Sequence, residues 1–409
     1  MRVASYLKGN VWAAICLLNL MIVACLGLLM RLNILFTLPW LNQVFTLHAH
    51  SHFAFSGWIS QALILCMSLT ITGKNFNDTL PSKYNLLLAF NLLCSYGMLI
   101  SFLMQGYAAV SICFSTLSIL VGFVFYAFCR KDVTDILRRQ VWWKYMQLAM
   151  VLNMVSALGT FSLAYNMIVQ PGNIELRLAS VYFYLHFQYN GWFFLACMGL
   201  FHYWLARRSI VPPASLIVFR LLASCTLPTY LLSINWLPFP QYLHAFTILV
   251  GSLQLCAWGI FVTSLWSLRR TIAAELLPIA RLLLSAALLA ASIKFSLQTA
   301  SSLPSVARLA FGLRPVVIAY LHLVLLGTIS LFLIGWLYQH SALGRETSSR
   351  KGLGIFLSGV IANEFFLMIQ GISALSGVYV GLMPEALAVA GLLLVFGSLQ
   401  IVRSVQREN

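Results

Sequence analysis

Eight histidines stand in this chain of 409 residues, and six of them fall inside apolar runs. His48, His50 and His52 alternate in LHAHSHFAFSGW, while His186, His244 and His322 occur singly in later runs. Imidazole is a nitrogen ligand suited to Fe, Cu and Zn. Polar or ionisable side chains within hydrocarbon are costly and point to function by default. Inward histidines on neighbouring helices are also how bundles hold haem or metal. The bland counterpart is six separate rings, each hydrogen-bonded within the bundle.

The elements that carry these rings must be membrane helices. The chain is 61% hydrophobic and 8% charged, against about 25% charged for a soluble domain. Twelve apolar runs are long enough to cross a bilayer, each needing about 20 residues. They lie at roughly 11–32, 44–72, 84–105, 107–129, 143–168, 179–205, 216–235, 238–266, 275–299, 314–338, 353–377 and 380–403. The first has no clear small-residue cleavage site and reads as a retained helix rather than a signal peptide. The expectation is a single all-α membrane domain over 1–409, with twelve transmembrane helices and no short-period repeat.

The net charge of +16 would suggest nucleic acid in a soluble chain, but here the positive-inside bias accounts for it. Basic residues concentrate on alternate loops: Lys74 and Lys83, RKDVTDILRR (130–139), Arg207 and Arg208, Arg269 and Arg270, GRETSSRK (344–351), and Arg403 and Arg407. The intervening loops carry few, such as Arg177, Arg308 and Arg314. This pattern places both termini in the cytoplasm of, by expectation, a bacterial inner membrane. The nine cysteines form no CxxC pair and read as small buried hydrophobes.

The four histidine-bearing runs all enter from the sparsely charged side. Each ring then lies about five to nine residues in, or roughly 6–13 Å deep at 1.5 Å per residue. Within the second run, His48 and His52 are four apart and share a helix face, while His50 points nearly the opposite way. If one face meets the bundle centre, His48 or His52 is the ligand, with no choice between them from spacing, and His50 hydrogen-bonds elsewhere. His202 and His340 lie at the opposite ends of their runs and read as interfacial.

This arrangement resembles the catalytic subunit of the haem–copper oxidases, including cbb3-type oxidases and nitric oxide reductases. LHAHSHFAFSG resembles the family segment whose histidine ligates the low-spin haem, and His48 matches its spacing to Gly57. YLHFQYNGWFF (184–194) resembles the segment supplying a copper ligand, here His186. AYLHLVLLG (319–327) resembles the HxHxxxLG motif, with His322 at the low-spin haem position. Tyr320 stands where the family has the high-spin haem ligand, and the histidine pair of the seventh run is absent. His244 is the nearest candidate there, though not at an equivalent position.

The resemblance implies a haem-binding protein for electron transfer or O2 and NO chemistry, with a degenerate binuclear site. Its cofactors would be haem b, with copper as a further candidate, and its electron donor a protein such as a cytochrome c. No CxxCH is present, so the haem would be non-covalent. Glu364 and Lys294 are candidate proton relays or a buried ion pair, and Tyr320, Gln188, Tyr189 and Asn190 candidate supports for the ligands. Arg308 and Arg314 could meet haem propionates or be solvated loop charges. The alternative function is a transporter or channel whose histidine layer carries metal ions or protons. Interrupted helix pairs, the usual mark of that class, are not evident in the sequence.

Overall fold

A computed structural model describes residues 7–378 and 380–405. Arg407, counted above among the charges after the last run, lies outside the described residues. Among the described residues all regular structure is helical, with no strand. Ten helices among the described residues are long and apolar enough to cross a membrane. They are α1 (Gly9–Phe36), α2 (Gln43–Thr72), α3 (Ser82–Gln105), α4 (Ala109–Asp132) and α5 (Val141–Val169), then α8 (Gln241–Ser267), α9 (Pro278–Ala300), α10 (Arg314–Gln339), α11 (Thr347–Ser376) and α12 (Met383–Arg403). Between α5 and α8 lie α6 (174–206), unbroken but polar at its centre, and the short α7 (Ser215–Thr226).

The run 216–235 is therefore not one continuous span, as its hydropathy suggests. Pro228 has no N–H to donate, and the helix dissolves into turns before a single helical turn at Tyr230–Ser233. The Tyr230 N–H bonds Leu227 O instead of the Thr226 carbonyl. Thr226 O is thereby released inside the protein, where it accepts from Thr229 Oγ1 (3.2 Å) and keeps a lone pair for a second donor.

The outer helices form a closed ring, with α12 packed on both α1 and α11. Inside it stand α2, α6 and α10, the second helix of each successive set of four. Asn42 and Asn173 start α2 and α6 by accepting the Val44 and Phe45 N–H groups and the Leu176 N–H respectively. Proline in the first turn starts α10.

The three inner helices share a local device. Each widens into a π-helical segment near mid-span: Ala54–Ser60, Phe187–Phe193 and Leu323–Ser330. Such segments are rare and concentrate at functional sites. Each contains a glycine five residues after a histidine: His52 and Gly57, His186 and Gly191, His322 and Gly327. This threefold H-x4-G is a repeat with a period of about a third of the chain, and the sequence reading of no short-period repeat passed over it. At Gly191 a Cβ would lie 2.8 Å from Leu152 Cβ on α5, so the close approach requires glycine.

Widening a helix leaves carbonyls short of donors, and the side chains supply them. Asn19 Nδ2 donates to Gly57 O (2.6 Å) and Asn91 Nδ2 to Ser56 O (3.1 Å). Ser330 Oγ donates five residues back to Leu325 O (2.8 Å). The segments are also tied to one another. Trp192 Nε1 on α6 donates to Ser60 Oγ on α2 (3.1 Å), and Trp58 Nε1 on α2 donates to Ser330 Oγ on α10 (2.9 Å). In both bonds the tryptophan follows its glycine by one and the serine by three. At the third corner Thr328 and Phe194 occupy those places, which removes the indole donor and the hydroxyl acceptor together.

Candidate functional site

The histidine layer sits immediately before the π segments. There the inner helices part. No residue of Arg314–His322 is buried, although α10 is an inner helix and is mostly buried from Val324 to Tyr338. On α6 only Ser180 is buried before His186, after which burial is continuous to Leu200. An inner helix left only half-buried over its first nine residues borders a partly open cleft rather than a packed core. The cleft opens among the sparsely charged ends of α1, α2, α6 and α10.

Of the three histidines on α2, His50 is the one directed to this cleft. Its Nδ1–H donates to Val23 O on α1 (3.1 Å). Its Cε1 lies 3.4 Å from where a Cβ on Gly27 would be, so glycine leaves the ring room against α1. His322 on α10 has the matching arrangement, with Nδ1–H donating to Ile318 O (2.8 Å). Because a carbonyl can only accept, both rings are fixed with the proton on Nδ1 and the lone pair on Nε2. Among the described residues no hydrogen bond reaches either Nε2. His50, His322 and Arg31 of α1 lie within electrostatic reach of one another. Arg31 has no ion pair or hydrogen-bond partner among the described residues.

His48 and His52 face elsewhere. His52 Nε2 shares a hydrogen bond with the Tyr107 hydroxyl (2.7 Å), and its ring stacks on Phe102 at 4.4 Å. His48 meets the Tyr107 ring edge-on at 4.6 Å. The i,i+4 pair is thus spent on the aromatic corner between α3 and α4. Helical geometry thus separates His50, which turns to α1, from His48 and His52, which turn to Tyr107 and Phe102. Arg308 and Arg314, the candidates for an anionic group, are exposed. Arg31, which the sequence reading passed over, is the cation beside the histidines. Its signal was a charge near the end of an apolar run.

His186 is fully buried and saturated. Its Nε2–H donates to Thr226 O (2.8 Å), the carbonyl released at the end of α7. Nδ1 then carries the lone pair, which accepts from Asn190 Nδ2 (3.1 Å) and Ser233 Oγ (3.3 Å). His244 bonds Asn235 Oδ1 through Nδ1 (2.9 Å), and Asn235 Nδ2 donates to Ser301 O and Ser302 O. The two rings are not joined. Among the described residues no group of three or more His, Cys, Asp or Glu is placed to hold a metal ion. His186 and His244 do not fit a copper centre, because the nitrogen lone pair of His186 is already occupied.

A polar network surrounds His186. The Tyr189 ring lies 6.4 Å from that of His186 and 6.2 Å from that of Tyr320. The Tyr320 hydroxyl reaches Gln298 Oε1 at 3.5 Å, and Gln298 Nε2 donates to Gln254 Oε1 (2.8 Å). Gln188 turns to α5, donating to Asn153 Oδ1 and Ser156 Oγ, both at 2.8 Å. Lys294 is 2% exposed, its ammonium is 3.7 Å from the centre of the Phe295 ring, and its Nζ has no hydrogen-bond partner. It lies within electrostatic reach of His186. Glu364 accepts from its neighbour Asn363 (3.2 Å), and among the described residues no ion pair joins it to Lys294. The buried pair, one of the two alternatives the sequence offered for these residues, is therefore not formed among the described residues.

The cleft thus brings together two oriented imidazole lone pairs and, in Arg31, a cation without an ion-pair partner among the described residues. Those features fit a haem: two nitrogen ligands, open space between inner helices, and an arginine suited to carboxylates. No protein-family model matches the chain, and no curated protein is similar to it.

Proposed function

We propose that this chain is a haem-binding integral membrane protein, a divergent relative of haem–copper oxidase subunit I that works in electron transfer. His50 and His322 would hold a non-covalent haem b, and Arg31 would face its propionates. The observation that carries the reading is the shared state of the two rings. Each gives its Nδ1–H to a backbone carbonyl of known position, as metal-ligating histidines do, and each keeps Nε2 free beside the same cleft. When bound, the haem would supply one-electron chemistry. The chain's own part is to fix both tautomers, place the lone pairs, and set a positive charge beside a site within hydrocarbon.

The saturated state of His186 favours electron transfer over O2 or NO chemistry, since a second reactive metal finds no ligand set. The basic loops, and with them both termini, would face the cytoplasm of a bacterial inner membrane. The electron donor would be a protein such as a cytochrome c. A second reading, proton or metal-ion transport, draws on the interrupted α7 and the unpartnered Lys294. It predicts proton flux into vesicles that Lys294→Met abolishes.

The test of the first reading is the optical spectrum of protein purified from haem-replete cells. A Soret band with about one haem per chain is expected, and His322→Ala removes it. A colourless protein of native elution volume contradicts the proposal.

A further inference from the structure

On the side of the basic loops, a cavity of about 430 Å³ lies between α8 and α9, with α6 and α10 behind it. Its volume falls within the range of small-molecule sites, about 300–1,000 Å³. Its walls are apolar and largely aromatic, including Phe194, Trp258, Phe261 and Phe332. At its mouth stand Arg269 and Arg281. From Arg281 to Ala291, which lines its deep end, is ten residues of helix, or about 15 Å.

The two arginines are not spent on carboxylates. Arg269 donates one N–H to Trp266 O (2.8 Å) and lies over the Trp266 ring at 4.8 Å. Arg281 donates to Ala273 O at a long 3.4 Å. Glu275, the one acid between positions 268 and 281, is engaged at 3.2 Å by Arg208 in the turn after α6. A guanidinium has five N–H donors in a planar fork that suits phosphate, so most of this donor capacity remains open.

An aromatic slot entering the bundle from the lipid-facing side, capped by two unpaired cations at headgroup level, has the shape and charge of an amphiphile site. We propose that it binds an anionic phospholipid, with the phosphate between Arg269 and Arg281 and one acyl chain reaching Trp258. Basic pockets between membrane helices recognise anionic headgroups in this way. The inference rests on this cavity alone and stands whether or not the cleft on the opposite side holds haem.

Trp258 supplies the readout. It is 4% exposed, whereas Trp266 at the mouth is 68% exposed, so a chain in the surrounding bilayer does not touch Trp258. The protein is placed in nanodiscs of zwitterionic phospholipid, and a small fraction of brominated-chain anionic phospholipid is added as quencher. Quenching of a component that disappears in Trp258→Phe is expected. Arg269→Gln with Arg281→Gln should weaken that quenching at least tenfold in lipid concentration. Ser285→Phe, at an exposed position lining the cavity, should abolish it, with circular dichroism reporting that the fold is kept. Equal quenching by brominated zwitterionic lipid overturns the headgroup assignment, as does full quenching in the double glutamine variant. Quenching that survives both Trp258→Phe and Ser285→Phe overturns the buried chain. A quinone that displaces the lipid at equal concentration, independent of the arginines, also overturns it.

Discussion

Two histidines in the same sequence context meet opposite fates. His186 and His322 each stand five residues before the glycine of a π segment, on inner helices that the fold treats alike. His186 is sealed in a corner where a backbone carbonyl, an amide and a hydroxyl take both of its nitrogens. His322 is half-buried, with one nitrogen pinned to Ile318 O and the other without a hydrogen bond among the described residues. What separates them is the neighbouring helix. Beside α6, the chain breaks at Pro228 and exposes a carbonyl with a lone pair for a second donor. A histidine's role is decided by which lone pair remains, not by its place in a motif.

If His186 is a structural clasp, removing it should cost stability and leave the cleft intact. His186→Ala leaves Thr226 O with the Thr229 hydroxyl alone and the Asn190 amide without its acceptor, and losing buried partners of this kind costs about 1–3 kcal/mol. Thermal unfolding in detergent should show the loss while the haem content stays at the wild-type value. A drop in haem content with unchanged stability would break the distinction between the two regions.

Lys294 sharpens the same contrast from the other side. A buried amine without partners is expensive, and methionine fills similar volume at no electrostatic cost. Lys294→Met should therefore raise stability, by about 1 kcal/mol or more, if the corner only holds the fold together. A stability unchanged or lowered, together with loss of proton flux in vesicles, would make the corner a working proton path.

The smallest effect concerns the ties between the inner helices. Trp58→Phe and Trp192→Phe each delete one hydrogen bond and should each cost about 1 kcal/mol, seen as similar shifts in the unfolding midpoint. Strongly unequal losses would mean that the near-threefold arrangement is one of sequence more than of energetics.

Much of the fold was legible because hydrophobicity and length report membrane helices directly. Ten of the twelve expected runs are such helices, and even α6 was found, since its polar centre sits within a long apolar frame. The break in α7 was not read, although Pro228 and the two prolines at 238 and 240 lie in view. Hydropathy averages across a proline, whereas the backbone cannot. The layer of histidines at one depth was legible from spacing. Which ring of His48, His50 and His52 looks inward was not, because the answer lies in partners far along the chain: Tyr107 and Phe102 on one side, Val23 and Gly27 on the other. The H-x4-G repeat was there to be found, but its period of about a third of the chain lies beyond any search for short repeats.

The central claim is that His50, and not its neighbours, faces His322 across a haem. Haem-to-protein ratio and Soret absorbance, measured side by side on purified His50→Ala and His52→Ala, test it most directly. The account predicts that His50→Ala loses the haem and that His52→Ala keeps it near one per chain. Retention in His50→Ala with loss in His52→Ala would contradict it.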